Sequence, residues 1–155
     1  MNTKLRASLE NISGYEAVLE AGQISKSTPG VGDLEVFNFK SQGLIFKCTQ
    51  IMAPILTVNK IEASFRYPTA RKQEKNKIYS VVNSFNETKV AMKAVLEKVE
   101  KDFFQVSLSV EFMCPDGLIV DEMVHPAVKV LRTGGQLFLA SLGAHGVTVK
   151  DLKND

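Results

Sequence analysis

A chain of 155 residues with 45% hydrophobic and 23% charged residues can bury one core, and that balance excludes a disordered protein. Nineteen basic against 17 acidic residues leave a net charge of +2, which does not demand nucleic acid as a partner. Two cysteines are too few for a disulfide framework, and no apolar run approaches the ~20 residues of a membrane span. Residues 1–10 mix Lys4, Arg6 and Glu10 with single apolar residues, unlike a leader peptide. The expectation is one soluble, reduced, cytoplasmic domain over residues 1–155, with 146–155 a frayed tail and no membrane contact.

Leu5, Leu9 and Ile12 recur on one face of a short helix. Asn2 or Thr3 is placed to cap its start, and Gly14 suits the left-handed residue at its end. Tyr15 to Ala21 reads equally as a strand or a further helical turn. Residues 23–33 read as a loop, rich in Ser, Thr, Pro and Gly. Leu34, Val36, Phe37 and Phe39 then predict a strand, Ser41-Gln42-Gly43 a hairpin turn, and Leu44 to Ile51 a second strand that Pro54 ends. A third extended run carries Leu56, Val58, Ile61, Ala63 and Phe65 to Pro68. Its apolar phase shifts between Val58 and Ile61, which predicts a bulge near Asn59.

Ile78, Val81, Val82 and Phe85 form the apolar stripe of a helix whose upstream part, Arg71 to Lys77, is polar on every side. Asn86 is positioned to cap its end. Val90 to Val99 is extended. Phe104 to Phe112 alternates strictly apolar and polar, so the two runs predict a hairpin about Glu100-Lys101-Asp102. Pro115-Asp116-Gly117 is a turn. The last helix carries Val124, Ala127, Val128, Leu131, Gly135, Phe138 and Leu142 on one stripe. Pro126 fits its first turn, or kinks a helix that starts at Asp121. Gly134 and Gly135 each cost about 1 kcal/mol relative to Ala, which a closely approaching backbone would explain. Gly143 and Gly146 end the helix. The order is α-β-β-β-α-β-β-α, an α+β fold with a mainly antiparallel sheet of about five strands.

Catalytic signatures are absent from the sequence. His125 and His145 lie too far apart for a helical metal pair, and Cys48 and Cys114 form no Cys-x-x-Cys. Asp121 and Glu122 suit a helix start, where the backbone dipole favours negative charge. No glycine pattern makes a phosphate cradle or a nucleophile elbow. The survey predicts no enzyme, no metal and no cofactor. The competing possibility is a cryptic site that gathers His125, Cys114 and Asp121 or Glu122. Arg66, Arg71, Lys72, Lys75 and Lys77 make one local basic stretch, which reads as a solvated face or as an anion contact through Arg71, Lys72 and Lys75.

From Ile78 to Leu142 the chain resembles the YbjN-type family of small bacterial proteins. The resemblance rests on Val81-Val82-Asn83-Ser84-Phe85-Asn86 at a helix end, the hairpin, the Pro-Asp-Gly turn, and Leu137-Phe138-Leu139-Ala140-Ser141-Leu142 in the last helix. It implies a fold like that of type III secretion chaperones, a dimer, and a surface that holds a protein segment. It brings no catalytic residue. The pI near 8.5 departs from the acidity of secretion chaperones. The function expected is therefore a non-enzymatic, chaperone-like or regulatory protein that binds a client or partner as a homodimer. Phe103 and Met113, out of phase with the core face of their strand, are the candidate partner or dimer surface. The alternative is a regulator or nucleic-acid-associated protein acting through residues 66–77.

Overall fold

Alternation of side chains lets a strand bury one face and wet the other, and burial alternates along much of Gly32–Ser41 and Leu56–Pro68. A computed structural model describes residues 4–18, 24–29, 32–115, 118–119 and 121–150. In chain order the elements are α1 (Lys4–Glu10), β1 (Tyr15–Ala17), β2 (Ile24–Thr28), β3 (Gly32–Ser41), β4 (Leu44–Met52), β5 (Leu56–Pro68), α2 (Lys75–Thr88), β6 (Lys93–Val99), β7 (Phe103–Pro115) and α3 (Asp121–Ala144). The α+β class is as expected. The seven strands are ordered β1-β3-β4-β5-β7-β6, with β2 also paired to β3. The chain divides into two compact units, residues 1–63 with 110–132 and residues 64–109 with 133–155.

In the first unit, β3 pairs with β4 antiparallel from Asp33↔Met52 to Ser41↔Leu44. Gln42 and Gly43 both take positive φ, the conformation a two-residue hairpin turn requires. Phe37, Phe39 and Phe46 are fully enclosed, and Phe39 stacks on Phe46 with centroids 4.9 Å apart. Four contacts tie α1 to its surroundings. Arg6 lies over the Phe37 ring at 4.5 Å and pairs with buried Glu35 at 2.7 Å. The Ser8 hydroxyl donates to Asp121 at 2.6 Å, and His125 Nε2 donates to the Ser8 carbonyl at 2.9 Å.

Several sequence expectations for this unit are corrected. α1 stops at Glu10; successive turns carry the chain to Gly14, whose φ is +75°. The capping positions Asn2 and Thr3 lie outside the described residues. Of the two readings of Tyr15 to Ala21 the strand holds at Tyr15–Ala17. The expected loop 23–33 contains β2, which pairs with β3 from Ile24↔Val36 to Thr28↔Gly32. Pairing uses the backbone, so Ser and Thr serve there despite their turn preference. No bulge occurs at Asn59: β4 and β5 stay in register from Phe46↔Ala63 to Met52↔Thr57. The apparent phase shift arises because Thr57 and Asn59 take inward positions and are buried. Gln50 Nε2 donates to Asn59 Oδ1 at 2.8 Å, and Asn59 Nδ2 donates to Cys114 Sγ at 3.4 Å. In the β6–β7 pairing the register is irregular between Leu96 and Lys98.

In the second unit, Tyr67, Phe85, Phe104 and Phe138 form an aromatic cluster with centroid separations of 5.3–5.5 Å. The Tyr67 hydroxyl donates to the Gly135 carbonyl at 2.9 Å. A Cβ built on Gly135 would lie 2.5 Å from the Phe65 ring, and one on Gly134 would lie 2.8 Å from Leu108 and 2.9 Å from Met92. Side chains, not a backbone, therefore make the close approach. α3 begins at Asp121 with Pro126 inside it, so the helix start is that of the second expectation. It ends in two reverse bonds, Val147 N–H to Leu142 O at 2.9 Å and Gly146 N–H to Gly143 O at 3.0 Å, with Gly146 at φ +69°. This pattern closes helix ends, and Val147 and Leu142 are both buried. The expected fraying does not begin at 146: the Lys150 amide donates to the Pro68 carbonyl at 2.9 Å. The extended run expected from Val90 begins as a strand only at Lys93, and Val90 is fully exposed.

Candidate binding surfaces

Two surfaces follow from this architecture, one apolar and one basic. On β3, β4 and β5 the outward positions alternate with the buried ones. Leu34 pairs with Ile51, and Ile51 with Val58, so three apolar side chains make one partly exposed row across three strands. Two pairs away, Lys47 stands opposite Glu62 at 3.4 Å, and Lys60 also pairs with Glu62. Met113 alternates with buried Cys114 on β7 and is 70% exposed. Ile55, in the β4–β5 turn, is 81% exposed, and Leu118 is exposed beyond β7.

Phe103 also points away from the core side of β7, but it is not bare. Arg66 covers its ring at 3.6 Å and Lys98 approaches at 5.1 Å. A guanidinium over an aromatic face is held by the ring quadrupole, with about 0.5–1 kcal/mol at exposed sites. Around it Glu97 accepts from Ser64 at 3.0 Å and from Gln105 at 2.6 Å. This part of the sheet is polar and internally paired.

The basic stretch is divided. Arg66 belongs to the Phe103 stack. Arg71 and Lys77 line a cleft of about 380 Å³ together with Ala70, Gln73, Gly146, Thr148 and Lys150. Lys72 and Lys75 are exposed and do not line it. Two backbone bonds fix the walls: Thr69 N–H to Asp102 O at 2.7 Å and Lys150 N–H to Pro68 O. Lys77 Nζ donates to the Gly146 carbonyl at 3.3 Å, joining the start of α2 to the turn that ends α3. Sequence reasoning found Arg71 but missed Lys150, because only the folded chain returns the C-terminal segment to the end of β5.

The residues of the competing catalytic reading are held elsewhere. His125 Nε2 faces the Ser8 carbonyl and lies 3.7 Å from Asp121, while Cys114 lies with Asn59 and Thr57. The Ser8 hydroxyl donates to Asp121 and not to the imidazole, so this is no nucleophile–base pair. Burial, then nearby Glu62, pushes the Cys48 thiol well above its ordinary pKa, which keeps it protonated and unreactive. Among the described residues no group of three His, Cys, Asp or Glu side chains could hold a metal, and no helix is long and apolar enough to cross a membrane.

Asn86 does not cap α2. Its Nδ2 donates to the Ala94 carbonyl at 3.0 Å and its Oδ1 accepts the Ala94 N–H at 2.7 Å. The helix instead closes through Lys89 N–H to Phe85 O at 2.9 Å.

No protein-family model and no curated protein matches the chain. The fold is similar to that of YbjN. The crystal structure of that E. coli protein, described as a candidate transcription regulator, aligns with 94% of this chain and 91% of its own, at a TM-score of 0.45 and 11% identity.

Proposed function

We propose that this is a non-enzymatic binding protein, regulatory or chaperone-like, that associates with a second copy through the outer sheet face of its first unit. The observation that carries this reading is the row Leu34–Ile51–Val58, with Met113 exposed on the outward phase of β7. Paired strands present a flat face, and flat faces pack sheet on sheet about 10 Å apart. The neighbouring Lys47 and Lys60 both pair with Glu62, which offsets one of the two positive charges beside the row. Two-fold association places the same patch of both copies face to face, so the apolar row would meet its own copy.

The sheet edge is a weaker route. A partner strand needs free backbone groups, and at Ala94 of β6 Asn86 occupies them. The non-enzymatic part of the reading is supported by the protonated Cys48 thiol and by the structural bonds of His125.

Light scattering on the purified protein tests the association. The expected mass is twice the 17.1 kDa chain. Ile51→Lys and Met113→Lys should return it to the chain mass without shifting the thermal midpoint beyond a few degrees.

A further inference from the structure

We infer that the cleft lined by Arg71, Lys77 and Lys150 is a binding site for a small, multiply charged oxyanion of the pyrophosphate class. It is separate from the proposed association face and does not depend on it. Three cationic side chains from three segments converge there: the loop after β5, the first turn of α2, and the segment after α3. Among the described residues no carboxylate lines the cleft, and Arg71 and Lys150 have no ion-pair partner there.

Two features of α2 sharpen this reading. Its first turn contains no acidic residue and carries Lys75 and Lys77. Positive charge at a helix N-terminus opposes the backbone dipole and is unfavourable in the empty protein. Glu74 at the N-cap makes no side-chain bond to the helix amides, so the amides of the first turn have no capping acceptor from that residue. A bound anion offsets both the dipole and the mutual repulsion of the cations. Gln73, whose side-chain amide donates to the Arg71 carbonyl at 3.2 Å, and Thr148 add neutral residues to the lining.

Volume decides between ligand classes. About 380 Å³ falls within the range of small-molecule pockets. A nucleic-acid strand instead needs a groove that follows several backbone phosphates. Lys72 and Lys75 would belong to such a stripe, yet they lie off the lining. Arg supplies the fork that grips two oxygens, and the lysines act as point charges.

Calorimetric titration with inorganic pyrophosphate at low ionic strength tests the site. The expected result is saturable one-to-one binding, weakened about tenfold or more by Arg71→Ala and by Lys150→Ala and unchanged by Lys72→Ala. Both substituted side chains are exposed, and matching thermal midpoints certify the fold. Three results would overturn the inference: no saturable binding, equal loss in Lys72→Ala, or a short single-stranded oligonucleotide that binds more tightly and depends equally on Lys72 and Lys75. The last would assign an extended nucleic-acid surface in place of the cleft. None of these results bears on the oligomeric mass.

Discussion

Asn86 holds both backbone groups of Ala94, donating to its carbonyl at 3.0 Å and accepting its N–H at 2.7 Å. One side-chain amide thus does for the edge strand what a neighbouring strand would do. Removing it leaves partly buried backbone groups unpaired, at about 1–3 kcal/mol. Asn86→Ala should lower the unfolding free energy measured in urea by that amount and raise the scattering of concentrated samples as the edge opens. Asn86→Asp keeps the acceptor for the Ala94 N–H but sets a carboxylate against its carbonyl, so it should recover little. Equal stability of all three proteins would show that the contact contributes nothing.

The glycines of α3 should respond in opposite directions. Ala normally stabilises a helix by about 1 kcal/mol over Gly. At Gly143 a Cβ meets nothing within 4 Å, so Gly143→Ala should raise stability by that much. At Gly135 it would stand 2.5 Å from the Phe65 ring, and Gly135→Ala should cost about 1–3 kcal/mol by overpacking. Denaturant titration of the two variants gives the signs directly.

The buried amide pair Gln50 and Asn59 should behave as a coupled unit. Asn59→Ala strands the Gln50 amide and removes the donor to Cys114, costing about 1–3 kcal/mol. The double variant with Gln50→Leu should cost less than the sum of the two single changes. Additive losses in a double-mutant cycle would contradict direct coupling.

These cases show what a sequence can reveal. The Phe104–Phe112 strand and the α2 stripe were legible because burial there follows the period of the element. β2 was hidden because Ser25, Ser27 and Thr28 carry no apolar signal; its strand state comes from pairing with β3. Asn59 misled the reading because an inward polar residue breaks the apolar phase without breaking the strand. In the basic stretch, charge was visible but direction was not. Arg66 turns to the Phe103 ring, Arg71 faces the cleft, and the cleft's third cation, Lys150, arrives from the far end of the chain.

Alkaline pH should destabilise the protein. Burial raises the Cys48 thiol well above 9.0 and the Tyr67 phenol well above 10.0. Both groups are neutral when protonated, so below these values folded and unfolded chains bind the same protons and stability is unaffected. As pH rises past them the unfolded chain releases protons that the folded chain retains, and stability falls until the folded values are reached. Urea midpoints should be flat near neutrality and decline from about pH 9 upward. Tyr67→Phe should reduce that decline, while it also loses the bond to the Gly135 carbonyl.

The central claim is self-association through the outer face of the first unit. The most direct test is the light-scattering mass of the wild-type protein beside Ile51→Lys, across a range of concentrations. A wild-type mass of twice the 17.1 kDa chain, reduced to one chain by the substitution, is the predicted result. A single-chain mass for the wild type at every concentration, or a dimer that Ile51→Lys leaves intact, would contradict the account.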